Sequence, residues 1–211
     1  VREEAGMWIV TVEKGLVFIG NEELKKRKAL KAHRFTSQNS IIKSKNLHTV
    51  FKDSRGWLWL GYEGEGIQIV KNPEALITGS VLNIIELTSN SESEQPDISS
   101  KNIRELYEDS FGNMWVATND RGFDRISIQE QEIISVRSFQ NEPGNVRSIP
   151  HNDGRSVFQQ TDSTYWFATY GGGIAKWNSS TDIITRYTTD DGLPNNSTYS
   201  VIGESETQYI W

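Results

Sequence analysis

The sequence predicts an all-β fold, and three observations lead to that prediction. Tryptophans recur through the 211 residues at separations of 51, 56, 51 and 45, at Trp8, Trp59, Trp115, Trp166 and Trp211. Glycines follow the first four of these tryptophans at a constant distance of seven residues, at Gly15, Gly66, Gly122 and Gly173. No stretch shows sustained helical periodicity, so almost no helix is expected. A repeat of this length, built from short strands and glycine turns, is typical of a β-propeller.

The best-defined repeat is 46–71, where a turn of sequence Asp-Ser-Arg-Gly separates an apolar run from the strand around Trp59. In such a turn Asp53 can bond to its own backbone, and Gly56 supplies a positive φ, so the two strands fold back tightly. The tryptophan is expected to fill the space between one blade and the next. The alternative, scattered tryptophans in an unrelated β-sandwich, does not explain glycines that keep register with them.

The repeat divides the chain into one array of four-stranded antiparallel blades. The approximate blade bounds are 1–35, 46–88, 102–139, 153–188 and 198–211. The first blade lacks its innermost strand and the last is incomplete, so the chain holds about four blade equivalents. Propellers close with about 4 to 8 blades, and four could close only if the terminal strands completed one shared blade. We therefore expect an open arc of a larger propeller.

Composition excludes several classes of function. The chain has no cysteine, which rules out disulfides, thiol catalysis and cysteine-based zinc sites. Its formal net charge is -6 and its Lys and Arg residues are dispersed, so it lacks the broad basic face that nucleic-acid binding requires. No apolar run approaches the roughly 18 residues of a membrane-spanning helix.

Four segments carry a resemblance to a known family. They are DSRGWLWLGYEGEGI, DSFGNMWVATNDRGF, TYWFATYGGGIAKWN and DGLPNNSTYSVI. In these segments the linker, the Asp turn, the Trp strand and the Gly hairpin follow one another in the order of the two-component regulator propeller repeat, which the chain resembles over nearly its whole length. Two turns depart from the pattern: Gln160 and Ser163 replace Asp and Gly in one, and the last is blurred around Gly203.

The resemblance implies a sensor. In this family such arrays form the extracytoplasmic, periplasmic part of bacterial inner-membrane receptors whose output domain is a histidine kinase or a diguanylate cyclase. It further implies a small polar ligand, such as an oligosaccharide fragment, with the remaining blades and the output domains as partners. A homodimer of the intact receptor is compatible with it. No catalytic residue, metal site or cofactor is expected in this segment.

The loops on one face of the propeller are the expected ligand site. These are the loops that follow the Trp strand and the loops that enter each new blade. Tyrosine offers an apolar face for stacking, while Asn, Asp and Arg are planar hydrogen-bonding partners, as a sugar or peptide ligand requires. The candidate ligand-binding residues are Tyr62, Glu63, Glu65, Asn119, Asp120, Arg121, His151, Asn152, Tyr170 and Asn196.

Two alternative functions remain open. Some propellers with similar tryptophan repeats are lyases that use a histidine and a metal, and His151 is the residue to test for that chemistry. The other alternative is a scaffold that binds a protein partner and no small molecule.

Overall fold

The computed structural model describes residues 5–11, 14–26, 30–43, 46–89 and 95–203. In these residues the chain forms four antiparallel sheets, one with three strands and three with four. Consecutive strands pair with one another in every sheet, which is the arrangement of propeller blades. The predicted all-β propeller fragment is confirmed.

The blades are numbered in chain order. The first contains β1 (Gly6–Thr11), β2 (Gly15–Gly20) and β3 (His33–Phe35). The second contains β4 (Leu47–Lys52), β5 (Leu58–Tyr62), β6 (Ile67–Val70) and β7 (Ile84–Leu87). The third contains β8 (Ile103–Glu108), β9 (Met114–Thr118), β10 (Phe123–Gln129) and β11 (Glu132–Phe139). The fourth contains β12 (Gly154–Thr161), β13 (Thr164–Thr169), β14 (Gly173–Asn178) and β15 (Ile183–Tyr187).

Helical structure in the described residues is limited to short connecting segments. They are α1 (Asn21–Leu24), α2 (Glu74–Thr78) and a 3-10 helix (Thr189–Asp191). Segments of this length contain fewer than two turns, so they leave no periodic pattern in the sequence. None of the helices in the described ranges has the length and apolar character needed to span a membrane.

Three hydrophobic clusters join neighbouring blades, and each is centred on a tryptophan. Trp8 packs with side chains of the second blade, Trp59 with the third, and Trp115 with the fourth. These indoles are 1%, 0% and 0% exposed. The tryptophan therefore fills the interface between blades, as its position in the repeat predicts.

The Asp turns hold these tryptophans in place. Asp53 Oδ1 accepts hydrogen bonds from the backbone N–H groups of Arg55 and Trp57 (3.1 and 2.8 Å), while its Oδ2 accepts from Trp59 Nε1 (3.0 Å). Gly56 has the positive φ that the turn requires, 88°. One carboxylate thus closes the turn and fixes the indole that fills the interface.

The second Asp turn repeats this geometry. Asp109 Oδ2 accepts from Trp115 Nε1 at 3.0 Å, and Oδ1 accepts from the backbone of Phe111 and Asn113. The fourth blade differs, as expected. There Gln160 Oε1 accepts from Trp166 Nε1 (2.9 Å), and a tight turn joins β12 to β13 without an Asp turn.

The ends of the array lie partly outside the described residues. Residues 204–211 of the predicted last blade, which include Trp211, lie outside the described residues. Residues 198–202 form no strand, although Ser197 makes a β-bridge with Tyr170 and Val201 is buried. The division of the whole chain into one array with these blade bounds stays a prediction.

Candidate functional site

One end of the blades, here called the loop face, brings two kinds of loop together. In the second, third and fourth blades, the hairpin glycine donates its N–H to the loop that follows the outermost strand of its blade. These bonds are Gly66 to Lys101 O (3.0 Å), Gly122 to Asn152 O (2.7 Å) and Gly173 to Asn196 O (2.7 Å). The two sets of loops thus lie side by side, as the sequence led us to expect.

Glycine is required at these three hairpins. Their φ angles are 77°, 75° and 80°, and an added Cβ would lie 2.3, 2.1 and 2.1 Å from a carbonyl oxygen at the end of the outermost strand. Such distances are far inside van der Waals contact, so a larger residue would displace the outer strand.

A β-bulge occurs at the same place in each of the three innermost strands, at the loop face. The register shifts between Leu47 and Thr49, between Ile103 and Glu105, and between Gly154 and Ser156. The extra residues are His48, Arg104 and Arg155, each eleven positions before a blade tryptophan. Bulges re-aim side chains and are frequent next to functional sites.

In the fourth blade the bulged residue is part of an aromatic cluster. The Arg155 guanidinium lies 4.8 Å from the ring centroid of Tyr170 and 5.6 Å from that of Tyr199, and its Nη2 donates to Asp153 Oδ2 at 2.7 Å. The two rings meet edge to face at 5.5 Å and are 41% and 66% exposed. A hydrogen bond with Tyr170 raises the pKa of Tyr199, so the phenol stays neutral at physiological pH.

Two atoms of this cluster are buried without a protein hydrogen-bond partner. They are Asp153 Oδ1, an acceptor, and Arg155 Nε, a donor. A buried polar atom without a partner is energetically costly. A hydroxyl group can donate to a carboxylate and accept from a guanidinium at the same time. The cluster therefore combines an exposed aromatic surface with a donor and acceptor pair suited to a hydroxyl.

In the third blade the bulged arginine contacts an asparagine and a histidine. Arg104 Nε and Nη2 donate to Asn119 Oδ1 (3.2 and 2.9 Å), and Nη1 lies 3.2 Å from His48 Nε2. The predicted ligand residue Asn119 thus orients an arginine that links the innermost strand to the hairpin.

A polar cleft of about 450 Å³ lies where the loop that enters the third blade meets the hairpin of that blade. Arg121 and Asp120 line it, with Asp120 accepting from Ser100 Oγ (2.5 Å) and Asn102 Nδ2 (3.3 Å). The remaining lining residues are Ser89, Asp97, Ile98, Ser99, Ser100, Lys101, Asn102 and Gln140. The cleft is large enough for a small polar molecule.

Tyr62 is a correction to the predicted site. Its side chain is 0% exposed, and its hydroxyl donates to Gln68 Oε1 at 3.0 Å. Burial also raises the pKa of this phenol far above its ordinary value. The reason is that β5 continues to Tyr62, which lies on the same side of the strand as Leu58 and Leu60 and packs against the first blade.

Three other predicted residues have structural contacts that occupy part of their polar surface. His151 Nδ1 accepts from the backbone N–H of Asp153 (3.0 Å). Asn152 Oδ1 accepts from the backbone of Asn141 (2.7 Å), and Asn196 Oδ1 from that of Thr189 (2.8 Å). These side chains shape the entering loops, and their direct contact with a ligand stays a prediction.

Glu63 and Glu65 are exposed in the hairpin that follows β5. Their role in binding also stays a prediction. Within the described ranges, no group of three or more His, Asp or Glu side chains is arranged to hold a metal ion.

The sequence contained a signal for the bulged residues that the predicted site omitted. Arg104 and Arg155 occupy the same repeat position, eleven residues before Trp115 and Trp166. An arginine repeated as the second residue of the innermost strand indicates that this position has a defined role. Tyr199 had no such signal, because the same repeat position, twelve residues before the tryptophan, holds Leu47, Ile103 and Gly154 in the other blades.

Comparison with known proteins identifies one repeat directly. Residues 97–120, which include β8, the second Asp turn and β9, match the family model described as two component regulator propeller. The chain carries a two component regulator propeller repeat. The predicted resemblance is thereby confirmed. No curated protein matches the sequence.

Solved structures of bacterial proteins resemble the chain in fold. The extracellular domain of the putative hybrid two component system BT3049 from B. thetaiotaomicron is 21% identical over 98% of this chain, with a TM-score of 0.66. The extracellular domain of the putative one component system BT4673 from the same organism is 18% identical over 94%, with a TM-score of 0.61. PorZ, a surface component of the type-IX secretion system of Porphyromonas gingivalis, is 15% identical over 90%, with a TM-score of 0.64.

The chain spans only about a quarter of these proteins. It covers 24% of the BT3049 structure, 27% of the BT4673 structure and 26% of PorZ. At these identities the similarity concerns the fold alone.

Proposed function

We propose that this chain is a ligand-sensing propeller segment of a bacterial signal-transduction receptor, and that it binds an oligosaccharide or another small polar ligand at its loop face. The segment is not itself a catalyst in this proposal, and the ligand signals through the remaining blades and an output domain of the parent protein.

The observation that carries the proposal is the cluster of Asp153, Arg155, Tyr170 and Tyr199. A pyranose ring has an apolar face, which stacks on tyrosine, and hydroxyl groups that both donate and accept hydrogen bonds. The two exposed tyrosine rings supply the surface for stacking. Asp153 Oδ1 and Arg155 Nε supply the hydrogen bonds to a hydroxyl group if Tyr199 moves to admit the ligand.

The family match and the solved structures support the assignment to an extracytoplasmic part of a receptor. The two B. thetaiotaomicron proteins are described as extracellular domains of one component or hybrid two component systems. We infer an extracytoplasmic, periplasmic location for this segment from that similarity.

Calorimetric titration of the 211-residue chain with a panel of neutral and acidic oligosaccharides tests the proposal. At least one panel member should bind, and replacing Tyr170 and Tyr199 together by Ala should weaken its binding by about tenfold or more, because stacking on an aromatic ring is lost. Arg155→Gln should also weaken binding, since amide nitrogen cannot reproduce the guanidinium fork.

Phe111→Ala is the matched control. Phe111 is 57% exposed but lies in the second Asp turn, at the opposite end of the third blade from the loop face. The control should leave affinity unchanged. Equal loss in the control and in the tyrosine variant, or no binding to any panel member, would contradict the proposed site. A protein partner captured by the unmodified chain and by the tyrosine variant alike would favour the scaffold alternative.

A further inference from the structure

Three positions of the repeat meet at the loop face of the third and fourth blades. One lies thirteen residues before the blade tryptophan, one is the bulged position eleven residues before it, and one lies four residues after it. In the third blade they are Asn102, Arg104 and Asn119, and in the fourth they are Asp153, Arg155 and Tyr170. The two blades therefore carry the same arginine in different surroundings.

In the fourth blade a carboxylate of the chain itself balances the arginine. Arg155 Nη2 donates to Asp153 Oδ2 at 2.7 Å. In the third blade the same repeat position holds Asn102, whose side-chain amide donates to Asp120 Oδ2 at 3.3 Å. The counter-charge that the fourth blade has at this position is therefore missing from the third.

Arg104 is oriented by groups that carry no negative charge. Its Nε and Nη2 donate to Asn119 Oδ1, and its Nη1 lies 3.2 Å from His48 Nε2. An amide is neutral and an imidazole is neutral or positive, so neither balances the guanidinium. In the part of the chain that the structure describes, no carboxylate forms an ion pair with Arg104. These contacts use at most three of the five N–H groups of the half-buried guanidinium, so two remain for a ligand.

The two arginines lie on neighbouring innermost strands. Glu105, which follows Arg104, accepts from Ser156 Oγ at 3.3 Å and from the N–H of the next residue, Val157, at 2.9 Å. Because Ser156 follows Arg155, these bonds hold the two bulges side by side. An oligosaccharide that stacks on the tyrosine rings of the fourth blade therefore has Arg104 on the adjacent blade.

We propose that Arg104 binds a carboxylate of the ligand, so that the loop face selects an acidic oligosaccharide, one that contains a uronic acid, over a neutral one of the same length. This inference rests on the proposed function, because the tyrosine cluster of the fourth blade holds the sugar chain. Hydrogen bonds between a guanidinium and a carboxylate are charge-assisted and roughly twice as strong as neutral ones. The ligand thus supplies in the third blade the counter-charge that Asp153 supplies in the fourth.

Calorimetric titration of the 211-residue chain with trisaccharides that differ in charge tests this proposal. The trisaccharides of galacturonate, glucuronate and mannuronate are each compared with their fully methyl-esterified forms. At least one acid should bind about tenfold more tightly than its ester, because esterification removes the negative charge and keeps the sugar. Acetate at the same concentration should not compete with that acid, because it carries the carboxylate without the sugar.

Two variants remove the proposed contact in different ways. Arg104→Gln removes the guanidinium, whereas Asn119→Asp keeps an oxygen that accepts from Arg104 and adds a carboxylate beside it. Each should weaken binding of the acid by about tenfold and leave binding of the ester unchanged. Arg147→Gln is the matched control, because Arg147 is exposed in the loop that enters the fourth blade and its replacement changes the net charge equally. This control should keep the preference for the acid.

Far-ultraviolet circular dichroism checks that each variant is folded, and Asn119→Asp decides the test if Arg104→Gln does not fold. Equal affinity for acid and ester, equal loss of acid binding in the Arg147→Gln control, or competition by acetate would overturn the inference. So would a panel in which no acidic trisaccharide binds.

Replacing Tyr170 and Tyr199 together by Ala separates this inference from the proposed function. That variant should weaken binding of the acid and of the ester alike, because both stack on the rings. If it does so while the unmodified chain binds acid and ester equally, the choice of an acidic ligand is wrong and the proposed function stands.

Discussion

The second and third blades differ from the fourth in how they hold the tryptophan. In the former, a buried aspartate accepts the indole N–H and also closes the strand turn. In the fourth blade, the amide oxygen of Gln160 accepts the indole N–H in place of a carboxylate, and a tight turn joins β12 to β13. In the second and third blades one carboxylate thus couples the turn geometry to the packing between blades, whereas in the fourth blade a glutamine holds a half-buried tryptophan.

The aspartate of the second Asp turn is buried and accepts hydrogen bonds from several donors. Asp109 receives donors from the backbone of Phe111 and Asn113, from the Asn113 side chain, from Trp115 and from the Tyr165 hydroxyl. A buried charge is tolerated only when it is well hydrogen-bonded. The Tyr165 bond comes from the fourth blade, so the same carboxylate also ties two blades together.

The largest expected effect is the loss of stability on replacing a buried tryptophan, compared with the half-buried one. Trp115→Ala should lower the free energy of unfolding by about 3 to 5 kcal/mol, because it leaves a cavity between two blades. Trp166→Ala should cost about 1 to 2 kcal/mol, because less apolar surface is lost. Urea denaturation measures both. Equal costs would mean that the two tryptophans are not differently covered.

Replacing the aspartate of an Asp turn should cause the next largest loss in free energy of unfolding. Asp109→Ala leaves several buried donors without a partner and should lower the free energy of unfolding by about 2 to 4 kcal/mol. Asp162→Ala, in the turn that joins β12 to β13, serves as a control with the same charge change. If Asp109→Ala lowers the free energy of unfolding no more than Asp162→Ala does, the Asp turn does not stabilise the packing between blades.

The glutamine that replaces the aspartate should matter less. Gln160→Ala removes one described hydrogen bond to a half-buried indole and should cost about 0.5 to 1.5 kcal/mol in the same urea measurement. A cost equal to that of Asp109→Ala would show that the fourth turn is as tightly coupled as the others.

The smallest expected effect concerns pH. Burial raises the pKa of Glu105 above 4.5, although Val157 N–H and Ser156 Oγ donate to its carboxylate. Because the folded state favours the neutral form, this residue's contribution to stability falls as the pH rises from 4.5 through the raised pKa. Glu105→Gln can keep both bonds and should remove this loss, making the protein more stable at neutral pH by about 1 kcal/mol or less.

Thermal unfolding of the Glu105→Gln variant between acidic and neutral pH checks this prediction. Glu132→Gln, at an exposed position of β11, is the control and should keep the pH dependence of the unmodified chain. A Glu105→Gln variant that loses stability with rising pH as steeply as the unmodified chain would contradict the assignment.

The fold was largely predictable from sequence because the repeat fixes several positions at once. The separation of Trp59 and Trp115, together with the glycines seven residues later, placed the strands and hairpins correctly. The Asp turns were also predicted, but the bond from Asp53 to the indole was not. That bond depends on the position of the tryptophan side chain relative to the turn, which strand spacing alone does not give.

The candidate site was less predictable, for two physical reasons. Tyr62 was expected to face solvent because a glycine hairpin follows it, yet its strand continues and turns the ring into the interface between blades. Arg155 was missed because a bulge interrupts the alternation from which side-chain direction is read. Tyr199 meets Tyr170 through contacts between loops that no local pattern encodes.

The most direct test of the proposed site is to map a bound oligosaccharide by nuclear magnetic resonance on the isotope-labelled chain. The account predicts that an oligosaccharide selected from the calorimetric panel will shift the Arg155 Nε–H signal and the ring signals of Tyr170 and Tyr199. Signals from the second Asp turn, around Phe111, should not change. Shifts confined to that turn, or to the outer strands, with the Arg155 signal unaffected, would contradict the central claim that the loop face is where this propeller segment binds its ligand.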